Sequence, residues 1–168
     1  EDEVEVPGTF GRVLGGLRFD ASDLASTTGA LNIDLSSADT GVEVRDLNIR
    51  EALFGLTAGA AGQADVEILS VAPESPSVGV GGTVAASAEL RINILGRGFL
   101  SPARVEFGYP EEHRWTVRTL EPVTLSLDAL GMAEQAAALK ERCGHAKLGD
   151  VVRIEAALEF VEAPKSSP

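Results

Sequence analysis

The chain has 168 residues, enough for one ordinary domain that encloses a sizeable core. Fourteen basic against 26 acidic side chains leave a net charge of −12, a field that repels nucleic-acid backbones and anionic membrane surfaces, so no nucleic-acid partner is expected. The single cysteine forms no internal disulfide, and no apolar run is long enough to cross a bilayer as a helix.

Glu1–Pro7 is short and charged, with weak alternation at Val4 and Val6; it is a stub, or it follows a strand upstream of Glu1. Phe10–Asp20 reads as a half-buried strand, with Val13, Leu17 and Phe19 on one face and Arg12, Arg18 and Asp20 on the other. The Gly15-Gly16 pair in its middle predicts a bulge or sharp bend. A polar turn over Asp23–Gly29 leads to a strand at Ala30–Leu35 that carries Leu31 and Ile33. Ser36, Ser37, Asp39 and Thr40 then break the alternation with side chains that bond nearby backbone groups. From Val44 the period changes. Val44, Leu47, Ala52 and Phe54 fit one side of a short helix, and Arg45, Asp46, Arg50 and Glu51 stay polar. Asp46 is expected at the positive end of that helix, as a cap paired with Arg45.

Gly55–Gly62 is a flexible loop, and Asp65–Ile68 a strand with Val66 and Ile68 on its apolar face. After the Pro73–Pro76 turn, Val84–Ile94 keeps every even position apolar, including Ala86, Ala88, Leu90 and Ile92, and turns Glu89, Arg91 and Asn93 the other way. It is expected to be the longest strand, and Gly96-Arg97-Gly98 the turn that ends it. Ala103–Tyr109, with Phe107, and Trp115–Arg118, with Val117, alternate in the same manner; Pro122 separates the latter from Val123–Leu127. Asp128–Cys143 is rich in good helix formers and closes at Gly144, with Met132, Ala136, Leu139 and Cys143 as its buried stripe. Val152–Phe160 is the last strand. A single domain is therefore expected over residues 1–162, with a disordered tail over 163–168.

About eight strands with short connections and one apolar face each predict a mainly β antiparallel barrel, with the two short helices over its mouth. A sandwich would bury the same face. Chemistry has little support. His113 and His145 lie in different loops, and no nucleophile-elbow or phosphate-loop pattern occurs. Cys143-Gly144-His145 can be read as a nucleophile with its base, as a metal corner, or as a small buried hydrophobe ending a helix, and the last is adopted. Tyr109 and Trp115 are expected as core anchors. No enzymatic activity, cofactor or metal is expected.

Gly8-Thr9-Phe10-Gly11-Arg12, then Gly15-Gly16-Leu17-Arg18-Phe19-Asp20, then Thr40, Arg45-Asp46 and Leu53-Phe54 resemble the YceI-like proteins. They match that family's G-x-F stretch, its G-x-L-x-F-D strand and its T-x(4)-R-D run ending in phenylalanine. The chain departs from the pattern at Leu47-Asn48, usually His-Leu, and at Ala64–Ile68, usually a Tyr-Pro-x-Ile-x-Phe strand. The resemblance implies a lipocalin-like barrel, periplasmic or otherwise secreted, that binds a polyisoprenoid or quinone-type lipid. The implied lumen is Leu17, Phe19, Leu31, Ile33, Phe54, Val66, Ile68, Ala86, Ala88, Leu90, Ile92, Phe107 and Val117. Arg45 or Arg50 would meet the head group. The alternative is a solid-core barrel that serves as a subunit of a protein complex. Glu1–Pro7 is too short to cover a strand over Val151–Phe160 along its whole length, so part of that seam is expected to stay unpaired, to be covered by a helix, or to be filled by another chain, as a homodimer or a strand-pairing partner.

Overall fold

The computed structural model describes residues 5–57, 59–144 and 147–163. Its first strands are β1 (Thr9–Phe10), β2 (Val13–Arg18), β3 (Thr28–Asp34) and β4 (Ala38–Asp39). A helix α1 (Glu43–Asn48) runs directly into a π-helical turn, Ile49–Leu53. Next come β5 (Gln63–Pro73), β6 (Gly82–Ile94), β7 (Arg97–Glu111), β8 (Arg114–Thr119) and β9 (Val123–Ser126). Helix α2 (Ala133–Cys143), β10 (Val151–Ile154) and β11 (Ala157–Val161) complete the described chain.

Seven strands form one antiparallel sheet in the order β11–β8–β7–β6–β5–β3–β2, while β1 pairs with β4 and β9 with β10. Alternation sets the register. Leu31 lies opposite Val66, Val66 opposite Ile92, and Ile92 opposite Phe99, so one apolar face runs across four strands. On the outer face, charged and amide side chains pair across strands: Asn32 Nδ2 donates to Asp65 Oδ1 (2.8 Å), Arg91 meets Glu67 (2.8 Å), and Arg118 meets Glu106 (2.8 Å). The sheet curls until its two ends approach. The ring of Phe19, one residue past β2, lies 3.7 Å from that of Trp115 on β8 and 5.6 Å from Phe107 on β7. The result is a nearly closed barrel rather than a sandwich.

The main core joins Ala86, Ala88, Ala103, Val105 and Phe107 of the barrel wall to Val123, Leu125, Leu127, Met132 and Leu139. Helix α2 ends as expected, at Gly144 in the left-handed conformation (φ 67°), and buries Leu139 with Met132 just before it.

Several expectations need correction. The Gly15-Gly16 pair makes no bulge: β2 pairs with β3 without a register break. Gly15 instead permits close approach, since a Cβ there would lie 2.3 Å from the Ala30 carbonyl oxygen. Register irregularities fall instead in β5 between Ile68 and Ser70, where Leu69 is the extra residue, and in β7 between Gly108 and Glu111. The longest strand is β7, because its hairpin turn is only Leu95-Gly96, both with positive φ, as a two-residue turn needs. Val152–Phe160 is two strands on two sheets. The break at Ala156 is held by Thr119, whose amide donates to the Ala156 carbonyl (2.9 Å) and whose hydroxyl accepts from the Ala156 amide (3.0 Å). Half of the apolar stripe fails: Val44 (69% exposed) and Leu47 (43%) face solvent, whereas Ala52 and Phe54 pack against the core as expected. The π-helical turn rotates the chain so that Ile49 and Leu53 join them in that contact. The polar turn at Asp23–Gly29 hides a fully buried Leu24, whose amide donates to the Pro76 carbonyl (2.8 Å).

Candidate functional site: the inward apolar face and its cap

The inward face divides into two parts. Ala86, Ala88, Ile92 and Phe107 are sealed, at no more than 5% exposure, among the side chains of β9 and the segment leading into α2. Leu17, Phe19, Leu31, Ile33, Val66, Ile68, Leu90 and Val117 point the same way but are only partly buried, although Phe19, Val66, Ile68, Leu90 and Val117 also pack against that core. Six of these eight, all but Phe19 and Val117, lie on the adjoining strands β2, β3, β5 and β6 and make a continuous apolar strip. Burying such surface is favourable by about 25 cal/mol per Å², so the strip is a standing drive for an apolar occupant. Phe54, half-buried, caps one end with its ring 6.3 Å from that of Phe10. Ile94, which the alternation of β6 places on the inward face, and Phe99 pack against the same core; Phe99 has no such signal because Gly96–Gly98 reads as a turn.

Tyr109 and Trp115 stack on each other, centroids 3.7 Å apart and nearly parallel, while Phe19 meets Trp115 at the same distance. Tyr109 and Trp115 are both only partly buried and lie outside the main core, so they stack at its edge through Phe19 rather than anchoring it as expected.

The two arginines separate. Arg50 donates through Nη1 to the Ser36 carbonyl (3.4 Å) and lines a shallow groove with Arg12, Ser36, Ser37, Asp39 and Asp46. Arg45, half-buried on α1, is not part of that groove. Asp46 is no helix cap. It accepts hydrogen bonds from the Thr40 amide (2.8 Å) and the Thr40 hydroxyl (2.6 Å), tying the loop before α1 to the helix. Those bonds, the Thr40 hydroxyl first, and then the charges of Arg50 and Arg45, hold its carboxyl below the usual carboxylate range. A carboxyl with a depressed folded pKa contributes stability above its unfolded value, near pH 4, and loses it as pH falls through the lower folded value. Asp46→Asn should therefore lower the urea midpoint at pH 7 and make its decline between about pH 4 and pH 2 shallower. Equal acid slopes in the two proteins would remove Asp46 from the account.

Helix α2 is clamped to the π-helical turn by the Arg142–Glu51 ion pair, and Asn48 Nδ2 lies 3.6 Å from Cys143 Sγ. Cys143 is half-buried rather than sealed, and His145, its proposed partner in the nucleophile and metal readings, lies outside the described residues. His113 pairs with Glu162 at the β7–β8 turn. Among the described residues no three histidine, cysteine or acidic side chains come together to hold a metal ion.

No family model and no curated protein matches the chain. Solved structures do. A polyisoprenoid binding domain from Saccharophagus degradans, implicated in plant cell wall breakdown, superposes with a TM-score of 0.75 at 18% identity, over 93% of this chain and 85% of that one. Campylobacter jejuni YceI protein gives 0.74 at 12% identity, over 98% and 89%. Burkholderia cenocepacia BcnA gives 0.71 at 16% identity, over 94% and 89%. The chain shares their fold, so the YceI-like resemblance of Gly8–Asp20 and Thr40–Phe54 holds at the level of architecture.

Proposed function

We propose that this YceI-like barrel binds a long-tailed amphiphile, a polyisoprenoid or quinone-type lipid, along its inward apolar strip, and carries or sequesters it without chemistry. The observation that supports this most is the half-exposed strip itself, with Leu17, Leu31, Val66 and Ile68 pointing inward yet unsealed. In a solid-core module the same side chains would be fully buried, as Ala86 and Phe107 are, whereas Val66 and Ile68 touch that core and still keep part of their surface open. The shared fold with a polyisoprenoid binding domain points the same way. The strip has no charged member, which suits an isoprenoid tail. Arg50, in its groove beyond the strip, is the cation assigned to the polar head.

Binding is tested with protein stripped by organic extraction and a tritiated polyprenyl alcohol in non-ionic detergent. Saturation near one lipid per chain, displaced by an unlabelled quinone of similar tail length, is the expected result. Partition no greater than that into detergent alone refutes the proposal.

A further inference from the structure

The shallow groove at the end of the strip carries more negative than positive charge. It lies just past the Val13–Ile33 rung, between Gly11-Arg12 ahead of β2 and Ser36-Ser37 behind β3. The two arginines that line it are already engaged. Arg12 donates from Nε to Asp34 Oδ2 (2.7 Å) and from Nη2 to Ser36 Oγ (2.9 Å). Arg50 donates to the Ser36 carbonyl (3.4 Å), and its charge helps hold the Asp46 carboxyl ionised.

Three carboxylates line the same groove: Asp39, Glu43 and Asp46. Asp39 Oδ1 accepts from the Gly41 amide (2.7 Å) and Asp46 accepts from Thr40, so both are fixed in place. Asp34, behind Arg12, adds another negative charge. The Ser36 hydroxyl, and then Arg12, hold its carboxyl below the usual range. Even with Arg45, which acts on Asp46 from outside the groove, the carboxylates outnumber the guanidiniums. The whole chain, at a net charge of −12, adds to that field.

We infer, resting on the lipid-binding reading, that the lipid carries an uncharged oxygen head, a hydroxyl or a quinone carbonyl, and that phosphorylated polyprenyl lipids are rejected. A phosphate monoester brings a charge of about −2 at pH 7. To reach an arginine it must compete with Asp34 for Arg12, or with Asp46 for Arg50. It would also stand beside Asp39 and Glu43, where like charges repel. A diphosphate meets the same groups with more charge. A hydroxyl avoids both costs, because it donates to a groove carboxylate and accepts from Arg50 without breaking an ion pair. A quinone carbonyl accepts from Arg50 in the same way.

The test uses stripped protein, a tritiated polyprenyl alcohol in non-ionic detergent, and unlabelled competitors of one tail length. These end in an alcohol, a quinone, a monophosphate or a diphosphate. Alcohol and quinone should displace the label at similar concentrations. The monophosphate should need at least ten times more, and the diphosphate more again. Raising salt from about 0.05 M to about 0.5 M should narrow the gap between alcohol and monophosphate at least threefold, because the rejection is electrostatic. The double variant Asp39→Asn/Glu43→Gln should narrow it at least fivefold at low salt. Should that pair not fold, Glu43→Gln alone, exposed on the first turn of α1, should narrow it at least twofold. A phosphorylated competitor that displaces the label as well as the alcohol does would overturn the inference and leave the lipid reading standing. So would a gap that neither salt nor Glu43→Gln changes. A tritiated alcohol that is not retained at all would end both.

Discussion

Ile92→Lys is expected to abolish the cooperative unfolding transition at room temperature. Ile92 is 5% exposed in the middle of β6, opposite Val66 on one side and Phe99 on the other. No acidic side chain shares that inward face nearby, so the ammonium would be buried without a partner or would force the wall open. Either outcome costs more than about 4 kcal/mol, against a typical domain stability of about 5–15 kcal/mol. The neighbouring Arg91→Lys should change stability by no more than about 0.5 kcal/mol, because Arg91 and its partner Glu67 are both largely exposed. Urea unfolding followed by circular dichroism measures both. Equal tolerance at the two positions would mean that the register of β6 is wrong.

Ile68→Trp should leave the protein folded and cost it the lipid. Ile68 lies on the inward face between Gly29 and Leu90, and it is only half-buried. Leu17 already lies over Gly29, so an indole there must displace the Leu17 side chain, and stability should fall by about 1–3 kcal/mol. The same ring takes the volume that an isoprenoid tail needs. Affinity should fall at least tenfold, or by about 1.4 kcal/mol. Leu69→Trp is the control, since Leu69 is the bulged residue, 38% exposed, and should bind lipid as the unaltered chain does. Similar losses at both positions would move the ligand off the inward face.

Strand register was the most legible part of the fold. In β6 the alternation from Val84 to Ile94 names the inward residues without error, because a period of two has only one way to bury a face. What alternation cannot show is a change of partner. Ile154 and Leu158 keep the same parity, yet Thr119 splits their strand at Ala156 and sends the halves to different sheets. The bulge at Leu69 had a signal in the adjacent apolar pair Ile68-Leu69, which outweighs the glycine pair that drew attention upstream. On α1, helical spacing assumed a regular helix. The π-helical turn at Ile49–Leu53 adds an extra residue to the turn and shifts which side chains pack. Asp46 shows the limit of local reading most clearly. Its place near the start of a helix suggested a cap, but its carboxylate reaches back six residues to Thr40. Of the expected lumen, sequence could name the face but not its division into sealed and open parts. That division depends on β9 and the approach to α2, which come later in the chain.

The central claim is that the open strip holds a lipid, and native mass spectrometry of the protein as purified tests it most directly. The account predicts a species heavier than the polypeptide by one lipid, lost on organic extraction and much reduced in Ile68→Trp. A spectrum showing only the bare chain, unchanged after the extracted protein is incubated with polyprenyl alcohols and quinones, would contradict it.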